Sequence, residues 1–191
     1  MPENTKSNVN LNTIEREKFN MKLKELMQGK TPNPDFEGFS TADDMVLAVD
    51  FTGNATNEGD FVVAQNGITE QSGQLSAQTQ DSQYLRTGQV TTKTGTSRSF
   101  SVSGDRYNGD EFQDTILSHG IKYGTGQAVI RPYLYFNLLT GKGEKGMISI
   151  AIEDDLSGAA GENASFSASL TSTTLPQEYT YNPTSTPKNT D

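Results

Sequence analysis

Apolar and polar positions alternate with a period of two along much of this chain, and the clearest case lies between residues 83 and 114. Tyr84, Leu85 and Val90 sit among Thr and Gln, a composition suited to strands, and Thr94-Gly95 reads as a turn. The return run places Arg98, Phe100 and Val102 on one face and Ser97, Ser99, Ser101 and Ser103 on the other. Such alternation predicts a half-buried strand, so the segment reads as a long hairpin. After Gly104 the period changes: Asn108 or Asp110 can cap a helix whose Phe112, Ile116 and Leu117 share a face, with Gly120 at its C-terminal cap.

The same patterning predicts strands over 45–51, 61–68, 128–139, 147–152 and 164–170. Pro132 has no N–H to give a ladder, so the strand around it bends there or lies at an edge. Residues 69–81 have Leu75 as nearly their only apolar anchor and read as an exposed loop or a weak strand. Turns or loops are predicted at 52–60, 140–146 and the acidic 153–163. Near the N-terminus, residues 12–27 form an amphipathic helix opened by Asn12 and Glu15 as a capping box and closed by Gly29. Its stripe includes Ile14, Phe19, Leu23 and Leu26, which pack on the same domain or dock on a neighbouring subunit. The expected organisation is therefore an arm over 1–38, a β-sandwich or barrel over 39–172 with one body helix, and an extended or disordered tail over 173–191.

Composition narrows the class. Only 32% of the residues are hydrophobic, a lean core for a chain of 191 residues. The absence of cysteine excludes disulfides and thiolate metal sites, so stability must come from packing or assembly. No run approaches the roughly 18–20 apolar residues of a membrane span, and the polar first ten residues give no sign of a secretory leader. Residues 1–30 carry six basic groups against four acids, so the remainder holds −11 of the net −9. An acidic body favours solubility and argues against tight nucleic-acid binding, which depends on Lys and Arg.

Candidate chemistry is sparse. His119 is the single histidine and has no nucleophile elbow to serve; at a helix end it reads as a favourable charge. Residues 141–146 spell G-x-G-x-x-G, but a strand follows where a dinucleotide site needs a helix. The run 104–110 misplaces the ligands of a calcium loop, and Glu153, Asp154, Asp155 and Glu162 read as a solvated acidic loop. No catalytic, cofactor or metal site is expected, and the chain reads as a non-enzyme.

The runs YLRTG…TTKTGTSRSFSVSGDRYNGDEFQD and RPYLYFNLLTGKGEKGMISIAIEDD resemble the major tail tube proteins of long-tailed bacteriophages and phage-derived bacteriocins. The likeness covers roughly residues 39–181 and rests on a strand-turn-strand-GDR-helix order followed by a Tyr-rich hairpin. It implies a structural virion protein, assembled in the bacterial cytoplasm into stacked hexameric rings that form a hollow tube for DNA passage. Tape-measure, tail-terminator and baseplate proteins are implied partners, with no cofactor and no membrane. Hairpins over 83–104 and 128–152 would join the inner barrel. The candidate lumen or inter-subunit residues are Tyr84, Arg86, Lys93, Arg98, Asp105, Arg106, Tyr133, Tyr135, Glu144, Glu153 and Asp154. A different reading is a surface-binding sandwich, carbohydrate-binding or adhesin-like, that stacks sugars on Tyr107, Tyr133 and Tyr135.

Overall fold

The computed structural model describes residues 21–55 and 57–182. The expected disorder of 1–11, the part of the predicted N-terminal helix that holds Ile14 and Phe19, and the last nine residues lie outside them; within them that helix begins only at Leu23, because Lys22 is extended and bridges to Val62. Eight strands make one antiparallel sheet: β1 (Met45–Val49), β2 (Val62–Val63), β3 (Ile68–Tyr84), β4 (Gly88–Asp105), β5 (Ile130–Asn137), β6 (Lys142–Ser157), β7 (Ser165–Ser172) and β8 (Gln177–Thr180). The order is β2-β1-β5-β6-β7-β4-β3, and β8 pairs with the first residues of β6, Lys142–Lys145, ahead of the stretch that pairs with β7.

Inward positions from distant strands meet in one core. Leu47 and Val49 of β1, Phe100 and Val102 of β4, and Phe166, Ala168 and Leu170 of β7 belong to a single buried cluster. Strands so far apart in the order share a core only if the sheet curls round on itself. The Gln71 amide of β3 donates to the Met45 carbonyl of β1 at 3.2 Å and ties the two ends together. Two short helices, α2 (Glu111–Ile116) and α3 (His119–Lys122), fill the curl with Phe112, Ile116, Leu117 and Ile121. On the opposite face of β1 and β5, a second cluster joins Val46, Ala48, Leu134 and Phe136 to Leu23 and Met27 around α1 (Leu23–Leu26) and to Tyr179 of β8. β1 is thus covered on both sides, which is why its sequence is apolar at every position. The expected sandwich or barrel class holds.

Several boundaries differ from the sequence reading. The hairpin does not turn at Thr94-Gly95; the ladder runs on to Tyr84↔Gly88 and closes through 85–87, with Arg86 at φ 77°. Gly95 instead faces Gln78 beside a bulge that absorbs Thr94, a second use of glycine that sequence does not separate from a turn. Residues 69–81 are strand: they pair through backbone along β4 and have no core to face, so no apolar rhythm marks them. The second predicted strand shrinks to Val62–Val63, and β6 extends to Ser157 through much of the predicted acidic loop. Gly120 lies within α3 rather than capping α2, and residues 177–180 of the expected loose tail form β8. Pro132 is inside β5 but one position beyond the last β1 pair, Val49↔Tyr133; the Asp50 N–H donates to its carbonyl, so its missing N–H falls where that ladder stops.

Sequence reading passed over Gln113, a fully buried amide in α2. Its Oε1 accepts from the Tyr107 N–H at 2.7 Å, and its Nε2 donates to the carbonyls of Asn66 at 2.6 Å and Asp105 at 3.1 Å. One side chain thus stitches the helix to the start of β3 and the end of β4. Gln113→Met is expected to lower stability by about 3 kcal/mol in chemical denaturation, because it strands several buried polar groups. At the same helix N-terminus, burial raises the Asp110 carboxyl above its ordinary value of 3.8, against the hydrogen bonds from the Gln113 N–H and the Asn66 amide. A raised carboxyl favours the folded state at low pH. Relative to Asp110→Asn, the natural chain should gain thermal stability as pH falls through that raised value towards 3.8 and lose it on the way back up.

Candidate assembly interface

β4 pairs with β7 only as far as Ser99↔Thr171. Beyond Leu75↔Arg98, β3 and β4 have only each other, so residues 75–97 form a two-stranded ribbon with both outer edges unpaired. At the usual rise of a strand the ribbon projects about 33 Å. An isolated two-stranded hairpin is marginal in water, and a row of unpaired N–H and C=O groups is a template for another strand. The ribbon is polar but not heavily charged, with Leu75, Tyr84, Leu85 and Val90 exposed along it. Tyr84 and Arg86 are at or beside its tip, and Lys93 flanks the bulge.

Four of the residues singled out from sequence meet where the ribbon leaves the body. Arg98 Nε donates to Glu144 Oε1 at 2.6 Å, and the Tyr133 hydroxyl donates to the same oxygen at 3.2 Å. The guanidinium lies 4.4 Å above the Phe100 ring and 5.0 Å from the centre of Tyr135. Arg98 is 8% exposed. On the other strand, a Cβ at Gly73 would stand 3.0 Å from Arg98 Nη2, so the glycine makes room for the arginine. Burial, then the Glu144 charge, pushes the Tyr133 hydroxyl far up, which keeps it a hydrogen-bond donor; burial raises Tyr135 as well. Glu144 belongs to β6, which is not a neighbour of β4, and β7 has ended here. The ion pair bridges the gap and fixes the root of the ribbon to the body.

The outward face of the same sheet has a different chemistry. Period two places Ser99, Ser101 and Ser103 opposite the buried Phe100 and Val102, and their partners on β7 are Thr171, Ser169 and Ser167. Ser72 of β3 joins through a 2.8 Å contact with the Ser101 hydroxyl, and Ser149 of β6 pairs with Thr171. Acids border the patch: Asp154 pairs with Ser167, and Asp105, which accepts from the Asn163 amide at 3.2 Å, pairs with Ser165. Glu153 is exposed on the same extension of β6, and no lysine or arginine of β4 or β7 points to this side.

The remaining sequence candidates lie elsewhere. Arg106 pairs with Asp114 beside α2. Leu23 is buried and Leu26 packs against the second cluster, so this part of the N-terminal stripe docks on its own domain. His119 opens α3 rather than ending α2, with its ring 4.8 Å from Tyr123.

No family model and no curated protein matches this sequence. Solved structures do resemble it. A chain from the tail of an empty gene transfer agent particle, refined with C6 symmetry, aligns with a TM-score of 0.54 and 19% identity over 75% of this chain and all of that one. The fold is shared with a phage-like tail. A chain from the virion of a native gene transfer agent particle aligns at a TM-score of 0.52 and 17% identity, covering 73% of this chain and 98% of its own. At these identities the agreement concerns the fold alone.

The root cluster can be tested by a double-mutant cycle. Arg98→Met and Glu144→Gln are each expected to destabilise the subunit, with a coupling of about 2 kcal/mol between them in urea denaturation.

Proposed function

We propose that this chain is the repeating subunit of a phage-like tail tube: six copies close a ring, and rings stack into a hollow conduit for DNA. The observation that carries the proposal is the ribbon, a polar two-stranded arm with two open edges that one subunit leaves unsatisfied. Strands from neighbouring copies satisfy those edges, which turns an aggregation hazard into ordered polymerisation. The tail fold of the gene transfer agent particles supports the same reading. In the assembled state the serine and threonine face of β4 and β7 lines the channel, bordered by Asp105 and Asp154. Hydroxyls and acids without a cation give phosphates nothing to grip, so DNA slides rather than binds. Such a subunit is made in the bacterial cytoplasm, ends in the virion tail, and meets tape-measure, terminator and baseplate proteins there.

The sugar-binding reading loses its platform. Tyr133 is buried in the core and Tyr135 lies under Arg98, which leaves Tyr107 as the exposed member of that trio.

Electron microscopy of the purified chain over a concentration series should reveal hollow rods or six-fold rings, and a compact monomer at every concentration would refute the proposal. Replacing residues 77–96 by Asn-Gly should leave cooperative unfolding of the body intact and abolish the rods. Ser101→Lys with Ser169→Lys, a cross-strand pair on the proposed channel wall, should leave rods intact while short duplex DNA now binds them in a salt-dependent way.

A further inference from the structure

The tip of the ribbon carries side chains that a solvent-exposed turn does not need. Leu85 is 95% exposed, and Arg86 adopts φ 77°, a left-handed conformation that glycine or asparagine takes more easily. A hairpin turn needs positive φ but usually meets the need with glycine, asparagine or aspartate, so a bulky cation there, next to a bare leucine, is a pairing that the turn itself does not call for.

A matching groove lies at the other end of the arm. A cavity of about 450 Å³ opens beside the first residues of β3, with Val46, Val63, Ala64 and Leu138 among its apolar walls and Asp43 and Glu70 on its polar side. Among the described residues neither carboxylate has a hydrogen-bond or ion-pair partner. Lys30 also lines the cavity and leaves its charge at −1. An apolar pocket with an acidic rim complements a leucine followed by an arginine.

The tip cannot reach this groove in its own subunit, since the run from Gln71 to Leu85, even with its one bulge, spans up to about 45 Å of strand. We propose that the groove receives the ribbon tip of a second copy, with Leu85 in the apolar pocket and Arg86 between Asp43 and Glu70. The contact is head-to-tail, so each copy offers one tip and one groove and the series does not close on a pair. It also caps the translation between the two copies at about 45 Å. This inference rests on the self-assembly proposed above and adds the identity of one contact.

The chain has no cysteine, which makes pairing of introduced thiols unambiguous. Thr87→Cys at the tip with Thr69→Cys at the groove, in one chain, is expected to give, after mild oxidation of assembled protein, a ladder of disulfide-linked multimers on a non-reducing gel. In parallel, Arg86→Glu and Glu70→Arg should each raise the concentration needed for assembly at least tenfold, and the two together should restore it in large part. Circular dichroism should find every monomer folded, since every substituted position is exposed. Rods that form normally in all variants, without a ladder, would overturn this contact and leave the tube reading standing. A natural chain that never assembles would remove both.

Discussion

The long backbone ladder between β3 and β4 is the constraint on which the rest of this structure depends. Near Gly104 it is part of the body: β4 is paired on both sides and buries Phe100 and Val102 beneath it. Past Arg98 it is an arm held by its own hydrogen bonds. The change from sheet to arm happens where β7 ends, and at that point the chain places a bulky charge rather than another apolar residue. Arg98 packs its plane on Phe100 and Tyr135 and spends its charge on Glu144, while Gly73 clears the space it occupies. An ion pair with this little exposure adds modest net stability, because desolvation opposes the attraction. Its geometry, however, is directional, and direction is what a projecting arm requires.

The two faces of β4 divide the work. One is aromatic and aliphatic and anchors the rolled sheet to α2; the other carries hydroxyls alone for four successive outward positions. An exposed strand face commonly carries Lys and Glu for solubility, so four short hydroxyls in a row suit the channel wall proposed above. The acidic surplus of the body works in the same direction, and Asp105 and Asp154 stand at the border of the hydroxyl patch. The subunit-to-subunit contacts proposed for the ribbon use backbone edges and one apolar tip, which keeps the arm polar enough to remain soluble before assembly.

What the sequence by itself determined is the set of half-buried strands. Phe100 and Val102, Ile148 and Ile150, and Phe166, Ala168 and Leu170 alternate because one side of each strand meets a core, and that alternation is visible without coordinates. The buried face of α2 was legible for the same local reason, while the choice between Asn108 and Asp110 as its cap fell to the structure, which uses Asp110. Residues 69–81 were not, because a strand that pairs only along its edge has no buried side to impress a rhythm on its side chains. Nor was the turn at 85–87, since glycine serves equally at a bulge and at a hairpin end. Only the tertiary structure decided that Arg98, Tyr133, Tyr135 and Glu144 meet at one point, because residues 46 positions apart are joined by the curl of the sheet and by nothing in local sequence.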